Sequence, residues 1–300
     1  MKSKNVIKKI MLRILTGVAG PFVNTRIGRA AFFEAAPQNQ LLLAHTTEGI
    51  YYIVNSSDKV IGRSVYSERN SFDAHHLTDA LDLISNPKSV LIDVGANIGT
   101  IGLLGISKGH FKKCIAFEPE PHNFKILTHN VSLNGLNDKF ELRNEALSSE
   151  AVGTLDFELS EKNYGDHRMR IKTTSGIHNE ANRKVISVVV NTLDRALENV
   201  NLDECMLFMD TQGYEGHVLS GANKLIQMNV PVVTEFWPYG LKRSGGLELF
   251  YNVLRNSGYT SMWDLKNPTK KLQFSIDELK VIESQIGYDG GFTDFLFVKE

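Results

Sequence analysis

Cysteine is scarce in this 300-residue sequence, which contains only Cys114 and Cys205. The two residues lie far apart and no metal-ligating spacing surrounds them, so a disulfide framework or a cysteine-rich metal site is disfavoured. We predict that both are buried thiols of the hydrophobic core. A reducing compartment is consistent with this usage, and we expect a cytoplasmic protein.

Net charge is also nearly absent, because 33 lysines and arginines balance 34 acids to a formal charge of −1. Such a chain has no bulk electrostatic attraction for nucleic acid, so we expect no nucleic-acid partner. No apolar run approaches the ~20 residues that a membrane span requires. The 42% hydrophobic content is still enough for a full core, in one main domain with an extension.

Positive charge is concentrated at the N-terminus, where seven basic residues precede the first acid, Glu34. Apolar residues recur between them at roughly helical spacing: Ile7, Ile10, Met11, Ile14 and Leu15. Arg13 interrupts the apolar run, which disfavours a signal peptide. The pattern predicts a basic amphipathic helix that either lies on an anionic membrane surface or packs on its own domain or a partner subunit. We divide the chain into this helix with a small cap, 1–86, and a main domain, 87–300.

The stretch 90–118 has the pattern of half a nucleotide-binding unit. A short apolar run at 90–92 is typical of a parallel strand buried on both faces. The turn 93–99 contains two glycines, residues 101–107 are apolar enough for a helix, and 112–117 forms the next strand. The sequence therefore predicts an α/β fold with a doubly wound, mostly parallel sheet.

The glycine spacing of this turn favours one class of cofactor. The sequence DVGANIG (93–99) lacks the middle glycine of the G-x-G-x-x-G dinucleotide pattern. Asp93 would repel a pyrophosphate and attract a cationic or amine-bearing ligand. Glu118 follows Gly95 at roughly the 20-residue spacing of an acid that binds ribose hydroxyls. These features suit S-adenosylmethionine better than NAD, with a glycine turn of another α/β protein as the alternative.

Apolar and alternating runs predict the remaining elements. They are a hairpin at 41–45 and 50–54, helices at 72–84, 121–133, 217–228 and 247–257, and strands at 140–143, 206–209, 230–236, 259–263 and 294–298. The stretch 264–290 receives no assignment. An insertion, 151–190, contains β segments at 153–159 and 185–190 around the polar stretch 163–170. There His167 is a candidate general base near neutral pH, or part of a solvated loop.

Acids end three of the predicted strands, namely Glu118, Asp210 and Glu235. The carboxyl ends of parallel strands face one crevice, where open α/β sheets bind their ligands. Glu145 or the backbone near it, after the third strand, could contact the adenine by the same rule. Asp210 and Glu235 could also be ligands of Mg²⁺, although a substrate-binding pair is as common and nothing in the argument requires the metal.

An ordered set of motifs resembles the FkbM-type methyltransferases, which use S-adenosylmethionine and have the class I fold. The motifs are IDVGANIG (92–99), AFEPEP (116–121), NEAL (144–147), NYGDHR (163–168), NTLD (191–194), DTQGYEGHVLSGA (210–222) and TEFWP (234–238). The resemblance implies a Rossmann-like, seven-stranded sheet and methyl transfer, usually to a hydroxyl oxygen of a sugar or other small molecule. Phe208 stands where this family commonly has a lysine, so any function of that lysine is absent or supplied elsewhere.

The predicted site combines the resemblance with the strand ends. Residues predicted to bind the cofactor are Asp93, Gly95, Ala96, Asn97, Gly99, Phe117, Glu118, Asn144, Glu145 and Ala146. Candidates for catalysis are His167 and Asp210, with Glu235 behind them, and candidates for acceptor binding are Tyr164, Arg168, Gln212, Tyr214 and Trp237. We expect an O-methyltransferase acting on a sugar-like or secondary-metabolite hydroxyl. A non-catalytic cofactor-binding or regulatory domain and an NAD-dependent oxidoreductase are the alternatives, and the oligomeric state is open.

Overall fold

The computed structural model describes residues 21–171 and 175–300, and most of the predicted basic helix lies outside these ranges. Five elements precede the main sheet: α1 (Arg26–Ala35), β1 (Leu41–His45), β2 (Tyr51–Asn55), α2 (Ile61–Glu68) and α3 (Ala74–Leu83). β1 and β2 pair antiparallel, as predicted for the hairpin. The division at residue 86 stays a prediction.

The main sheet contains eight strands: β3 (Val90–Val94), β4 (Lys113–Phe117), β5 (Phe140–Arg143), β10 (Cys205–Met209), β11 (Val232–Phe236), β12 (Ser261–Asp264), β13 (Lys271–Gln273) and β14 (Thr293–Val298). They are ordered β13-β12-β14-β11-β10-β3-β4-β5. The first five along the chain run parallel, and β14 is antiparallel to β11 and β12. This is a doubly wound, mostly parallel α/β sheet, as predicted, with one edge strand more than the seven expected.

Helices lie between the strands: α4 (Thr100–Ser107), α5 (Pro121–Leu133), α6 (Leu193–Ala196), α7 (Glu215–Ser220), α8 (Asn223–Gln227), α9 (Pro238–Ser244), α10 (Leu247–Arg255) and α11 (Ile276–Ile286). Alternate residues of a strand enter different apolar cores. In β3, for example, Ile92 belongs to one core and Leu91 to the other. The sheet is therefore covered on both faces, which explains its continuous apolar strands. Cys114 and Cys205 are buried free thiols of these cores, as predicted.

One predicted helix, 217–228, is wrong as a single element, because α7 ends before α8 begins. The carboxylate of Asp194 accepts hydrogen bonds from the backbone N–H groups of Asn223 and Lys224. It thereby caps a new helix N-terminus. Gly221 fits at the break because a Cβ there would lie 2.1 Å from the carbonyl oxygen of Ser148.

The insertion forms a second, four-stranded sheet ordered β6-β9-β7-β8. Its strands are β6 (Ala146–Leu147), β7 (Gly153–Leu159), β8 (Arg168–Met169) and β9 (Lys184–Asn191). β7 and β9 pair antiparallel along seven residues, from Gly153↔Val190 to Leu159↔Lys184. The polar stretch 163–170 includes a short 3₁₀ turn, Tyr164–Asp166, and β8. Within the described residues no helix is long and apolar enough to cross a membrane.

Candidate active site

A large cavity opens at the carboxyl ends of β3, β4 and β10, and it contains about 910 Å³ of space that is continuous with solvent. The glycine turn, the insertion and the N-terminal region all contribute to its wall. The lining residues are Ile61, Phe72, Asp73, Asp93, Val94, Gly95, Ala96, Asn97, Thr100, Ile101, Phe117, Glu118, Pro119, Glu145, Ala146, Leu147, Phe157, Tyr164, Gly165, His167, Met169, Phe208, Asp210, Thr211 and Tyr214. This is the crevice that the strand-end acids predicted.

The glycine turn is shaped by a close approach to β10. Gly95 has a φ of +84°, and a Cβ on it would lie 1.8 Å from the carbonyl oxygen of Asp210. Asn97 has a left-handed backbone with a φ of 51°. Its backbone N–H donates to Oε2 of Glu118 at 2.8 Å, and its side-chain amide donates to the carbonyl oxygen of Tyr164 at 2.9 Å. Asn97 thus joins the turn to the next strand end and to the insertion.

Two carboxyl groups are buried beside this turn. Glu118 accepts a second backbone hydrogen bond, from Glu120 N–H at 2.8 Å, yet burial raises its pKa to about 8. Asp93 accepts from Gly102 N–H at 3.1 Å. Burial, with a smaller contribution from the negative charge of Asp210, raises the pKa of Asp93 to about 7. Ionisation of these acids would be favoured by a ligand that brings positive charge into the cavity.

Charge in the cavity is one-sided. Among the described residues that line it, five are acids and none is a lysine or arginine: the acids are Asp73, Asp93, Glu118, Glu145 and Asp210. One oxygen of Glu145, Oε2, accepts from the side chain of Asn191 at 3.2 Å. The other, Oε1, is buried and has no hydrogen-bond partner among the described residues. The cavity therefore offers its ligand hydrogen-bond acceptors, and acids whose ionisation a cationic ligand would favour.

Thirteen of the 25 lining residues were not predicted as part of the site, and two of these, Asp73 and Phe208, bear most on its chemistry. Asp73 precedes α3, where a sequence predicts a helix cap, but it has a φ of 53° and its side chain lines the cavity. Burial and the charge of Asp210 raise its pKa to about 7. Phe208, in the position of the family's lysine, is buried in β10 and contributes an apolar wall. Only the departure from the motif could have indicated Phe208.

His167 lines the cavity as a neutral imidazole. Its Nδ1 accepts from the backbone N–H of Ser160 at 3.0 Å. Burial first, then the nearby charges of Arg183 and His122, lower its pKa to about 3. In the neutral ring the proton therefore lies on Nε2, which makes the free ring nitrogen a donor.

Asp210 and Glu235 are linked by the side chain of Gln212. Its Nε2 donates to Oδ1 of Asp210 at 2.7 Å and lies 3.4 Å from both carboxyl oxygens of Glu235. Burial raises the pKa of Asp210, and burial with repulsion from Asp210 raises that of Glu235 well above its usual range. Asp210 faces the cavity, whereas Glu235 lies behind it as a buried acid.

Carboxyl oxygens of Asp210, Glu215 and Glu235 lie within 4.8 Å of one another, close enough to suggest a metal site. Oε1 of Glu215, however, already accepts from the N–H and hydroxyl of Thr211 and from Gly213 N–H. The Gln212 amide supplies a donor between the other two acids. Hydrogen-bond donors thus account for this cluster except for Oε2 of Glu215, which is buried and has no partner among the described residues, and the arrangement gives no support to Mg²⁺.

The residues predicted to bind the acceptor fall in three places. Tyr164 and Tyr214 line the large cavity. Tyr214 also lines a smaller neighbouring cavity of about 320 Å³ with Arg168 and Gln212. Arg168 makes ion pairs with Asp166, Glu158 and Glu180, at 3.0–3.9 Å. Its guanidinium also lies over the buried ring of Trp237, 4.8 Å from the centroid, so Trp237 contacts the site through Arg168.

Eight of the ten residues predicted to bind the cofactor line the large cavity. The two exceptions shape it from outside. Gly99 completes the turn with a φ of +92°. The side chain of Asn144 donates to the carbonyl oxygens of Glu118 and Pro119, and so holds that strand end in place.

Comparison with known proteins gives consistent similarities. The family described as "Methyltransferase FkbM domain" matches residues 93–259. "Methyltransferase sdnD" of Sordaria araneosa is 27% identical over 221 residues, which cover 64% of this chain and 80% of that protein.

Solved structures that are similar to this chain include an FkbM methyltransferase from Methylobacillus flagellatus KT. It is 16% identical with a TM-score of 0.42, and the match covers 72% of this chain but less than half, 45%, of that one. Another is TYW2 of P. horikoshii in complex with MeSAdo, 14% identical with a TM-score of 0.40, covering 87% of this chain and 71% of that one.

Proposed function

The chain belongs to the FkbM methyltransferase family, and we propose that it moves a methyl group from S-adenosylmethionine to a hydroxyl oxygen of a small acceptor. The observation that carries the choice of donor is the one-sided charge of the cavity, with five acids and, among its described lining residues, no lysine or arginine. S-adenosylmethionine brings a sulfonium and an ammonium group to these acids. The pyrophosphate of NAD would be repelled by them.

The proposed binding of the donor uses three of the acids. Glu118 accepts from the ribose hydroxyls, at the strand end where nucleotide-binding folds place such an acid. Asp93 binds the ammonium group of the methionine part. Oε1 of Glu145, which is buried and unpartnered among the described residues, accepts from the adenine amino group.

In the proposed reaction, the acceptor oxygen forms a bond to the methyl carbon while the bond from that carbon to sulfur breaks. The three atoms must be in line, so positioning supplies most of the rate. The hydroxyl proton passes to a base, which contributes about 10²–10⁴-fold. We assign this base to Asp210, because it faces the cavity with a raised pKa. Gln212 orients it, and Glu235 lies behind it.

His167 fits a donor's role better than a base's in this proposal, since its Nδ1 already accepts a hydrogen bond and its pKa is about 3. Its Nε2–H would hold the acceptor oxygen. Tyr164 and Tyr214 line the large cavity, and Gln212 and Arg168 line the smaller one beside it. Walls with such polar side chains favour an acceptor rich in oxygen atoms, such as a sugar.

The test compares donors first and acceptors second. At a hundredfold excess over its dissociation constant, a bound ligand stabilises the folded chain by about 2.7 kcal/mol. We therefore expect S-adenosylmethionine to raise the melting temperature and NAD to leave it unchanged. A rise with NAD and none with S-adenosylmethionine would refute the choice of donor. Formation of S-adenosylhomocysteine with hydroxylated acceptors, followed by mass spectrometry, would then distinguish the enzyme from a cofactor-binding domain without activity.

A further inference from the structure

Exposed apolar side chains are concentrated in the N-terminal surface, which we define as residues 21–60. Eighteen large apolar side chains are exposed in the described part of the chain, and eight of them fall in these 40 residues. The other 237 described residues hold the remaining ten. Scattered single apolar residues are normal on a protein surface, but such a concentration is typical of an interaction site.

Helix α1 presents one part of this surface. Phe33 and Gly28 are buried against the rest of the protein, while Ile27 is 73% exposed and Phe32 about half exposed. Arg26 pairs with Glu68 of α2 at 2.5 Å, and the ring of Phe32 stacks on Tyr66. The helix is therefore held on α2 by one side and leaves its other apolar side uncovered.

The hairpin of β1 and β2 forms another part of the N-terminal surface. Along β1 the exposure alternates, with Leu42 and Ala44 buried and Leu41 and Leu43 exposed. Tyr51 of β2, also exposed, lies opposite His45 of β1, two residues beyond Leu43. Because side chains two apart share a face of a strand, these exposed residues form one apolar face of the two-stranded sheet.

Charge indicates which partner fits. Residues 1–33 carry seven lysines and arginines and no acid, so the other 267 residues have a net charge of −8 in a chain whose total is −1. Residues 21–60 are themselves balanced, with three lysines and arginines against three acids, so the positive charge comes from the five lysines and arginines of residues 1–20, which precede this surface in the sequence. A second copy of the chain would add a second positive segment of this kind, and repulsion would oppose the contact. An anionic surface attracts the N-terminal segment and repels the rest, which orients the protein as it approaches.

From the exposed apolar residues and this charge we propose that the N-terminal surface docks on an anionic lipid bilayer. The five lysines and arginines of residues 1–20 attract the lipid headgroups, and Ile27, Phe32, Leu41 and Leu43 enter the interfacial region. Each effect alone gives weak binding, whereas basic and apolar contacts together give stable attachment without a spanning helix. This inference is independent of the proposed reaction.

The experiment is co-sedimentation of the full chain with vesicles of phosphatidylcholine, with and without phosphatidylglycerol. We expect binding to the anionic vesicles only, and weaker binding as salt concentration rises. Replacing Lys8 and Lys9 together by glutamine should lower the partition coefficient about thirtyfold. Ile27→Asp and Leu43→Asp should each lower it about tenfold or more.

The matched control is Val281→Asp on α11, where an apolar residue that is half exposed lies outside the N-terminal surface. It should leave binding unchanged, and circular dichroism should show every variant folded. Equal binding to neutral vesicles, or the same loss with Val281→Asp, would overturn the proposal. A dimer in sedimentation equilibrium that Ile27→Asp dissociates would assign the surface to a second copy instead and would also overturn it.

Discussion

Replacing Glu118 by alanine should weaken the binding of S-adenosylmethionine by about 10- to 150-fold. Glu118 is buried, and its two carboxyl oxygens are held in place by the backbone N–H groups of Asn97 and Glu120. Each oxygen has a further lone pair for a ribose hydroxyl. Burial raises the pKa of Glu118 to about 8, and the positive charge of bound S-adenosylmethionine would favour its ionised form. A hydrogen bond to a charged group contributes about 1.5–3 kcal/mol, and 1.4 kcal/mol corresponds to a tenfold change in affinity. Loss of one such bond gives the predicted range.

Calorimetric titration with S-adenosylmethionine measures this effect, and Glu120→Ala is the matched control. The Glu120 carboxylate is also buried in the same turn, but it accepts from the backbone N–H of Asn123 at the start of α5 and lies outside the cavity lining. Its loss should reduce the free energy of unfolding by about 0.5–2 kcal/mol, as expected for a helix cap. It should change the dissociation constant by less than about threefold, or ~0.6 kcal/mol.

Two results would contradict the reasoning about Glu118. An unchanged dissociation constant for Glu118→Ala would remove the ribose assignment. Glu118→Ala also leaves two backbone N–H groups without an acceptor, which costs about 1–3 kcal/mol each in stability. An equal loss of affinity in Glu120→Ala would therefore attribute the effect to a destabilised strand end and not to a lost ribose contact. Unfolding by urea, measured for both variants, separates these outcomes.

Three further predictions address the acids around Asp210. Asp210→Asn should lower kcat by about 10²–10⁴ while calorimetry shows nearly unchanged cofactor affinity, and full turnover by this variant would exclude Asp210 as the base. Activity should survive a metal chelator, because Gln212 supplies a donor between Asp210 and Glu235; loss of activity that Mg²⁺ restores would contradict this. The free energy of unfolding, measured in urea, should fall between pH 6.5 and 8, by up to about 1.4 kcal/mol per pH unit for each acid. The reason is that the folded state keeps protons that the unfolded chain has lost, on acids whose pKa burial raises to about 7 or 8: Asp73, Asp93, Glu118, Glu215 and Asp294. The histidines with lowered pKa act only below about 6.5, so a stability that rises over this window would refute the assignment.

The glycine turn could be predicted from sequence because its geometry is local. Strand, turn, helix and strand follow one another within 90–118, and the topology of a parallel sheet brings Asp93, Gly95, Asn97 and Glu118 to one edge. The same rule brought Asp210 to that edge from more than 90 residues away. This local pattern does not identify the bound ligand.

Features that depend on distant contacts could not be predicted. Asp73 directly precedes a helix, where an aspartate is expected to act as a helix cap. Its position in the cavity lining depends on the tertiary structure. His167 looked like a titrating base, but its burial and the hydrogen bond from Ser160 depend on how the insertion folds. The edge strand β13 and helix α11 lie in the stretch 264–290, whose weak periodicity gave no prediction.

The family match does not include every part of the cavity, because Ile61, Phe72 and Asp73 of its wall lie upstream of residue 93. Asp58, upstream of the matched residues 93–259, accepts backbone hydrogen bonds from Val60, Gly62 and, across the cavity wall, Tyr164. The carbonyl oxygen of the same Tyr164 accepts from the side chain of Asn97 in the glycine turn. The N-terminal region therefore supports the insertion at Tyr164, the residue through which the insertion contacts the glycine turn. A boundary at residue 86 separates elements along the sequence, but these hydrogen bonds make the N-terminal region part of the proposed cofactor site.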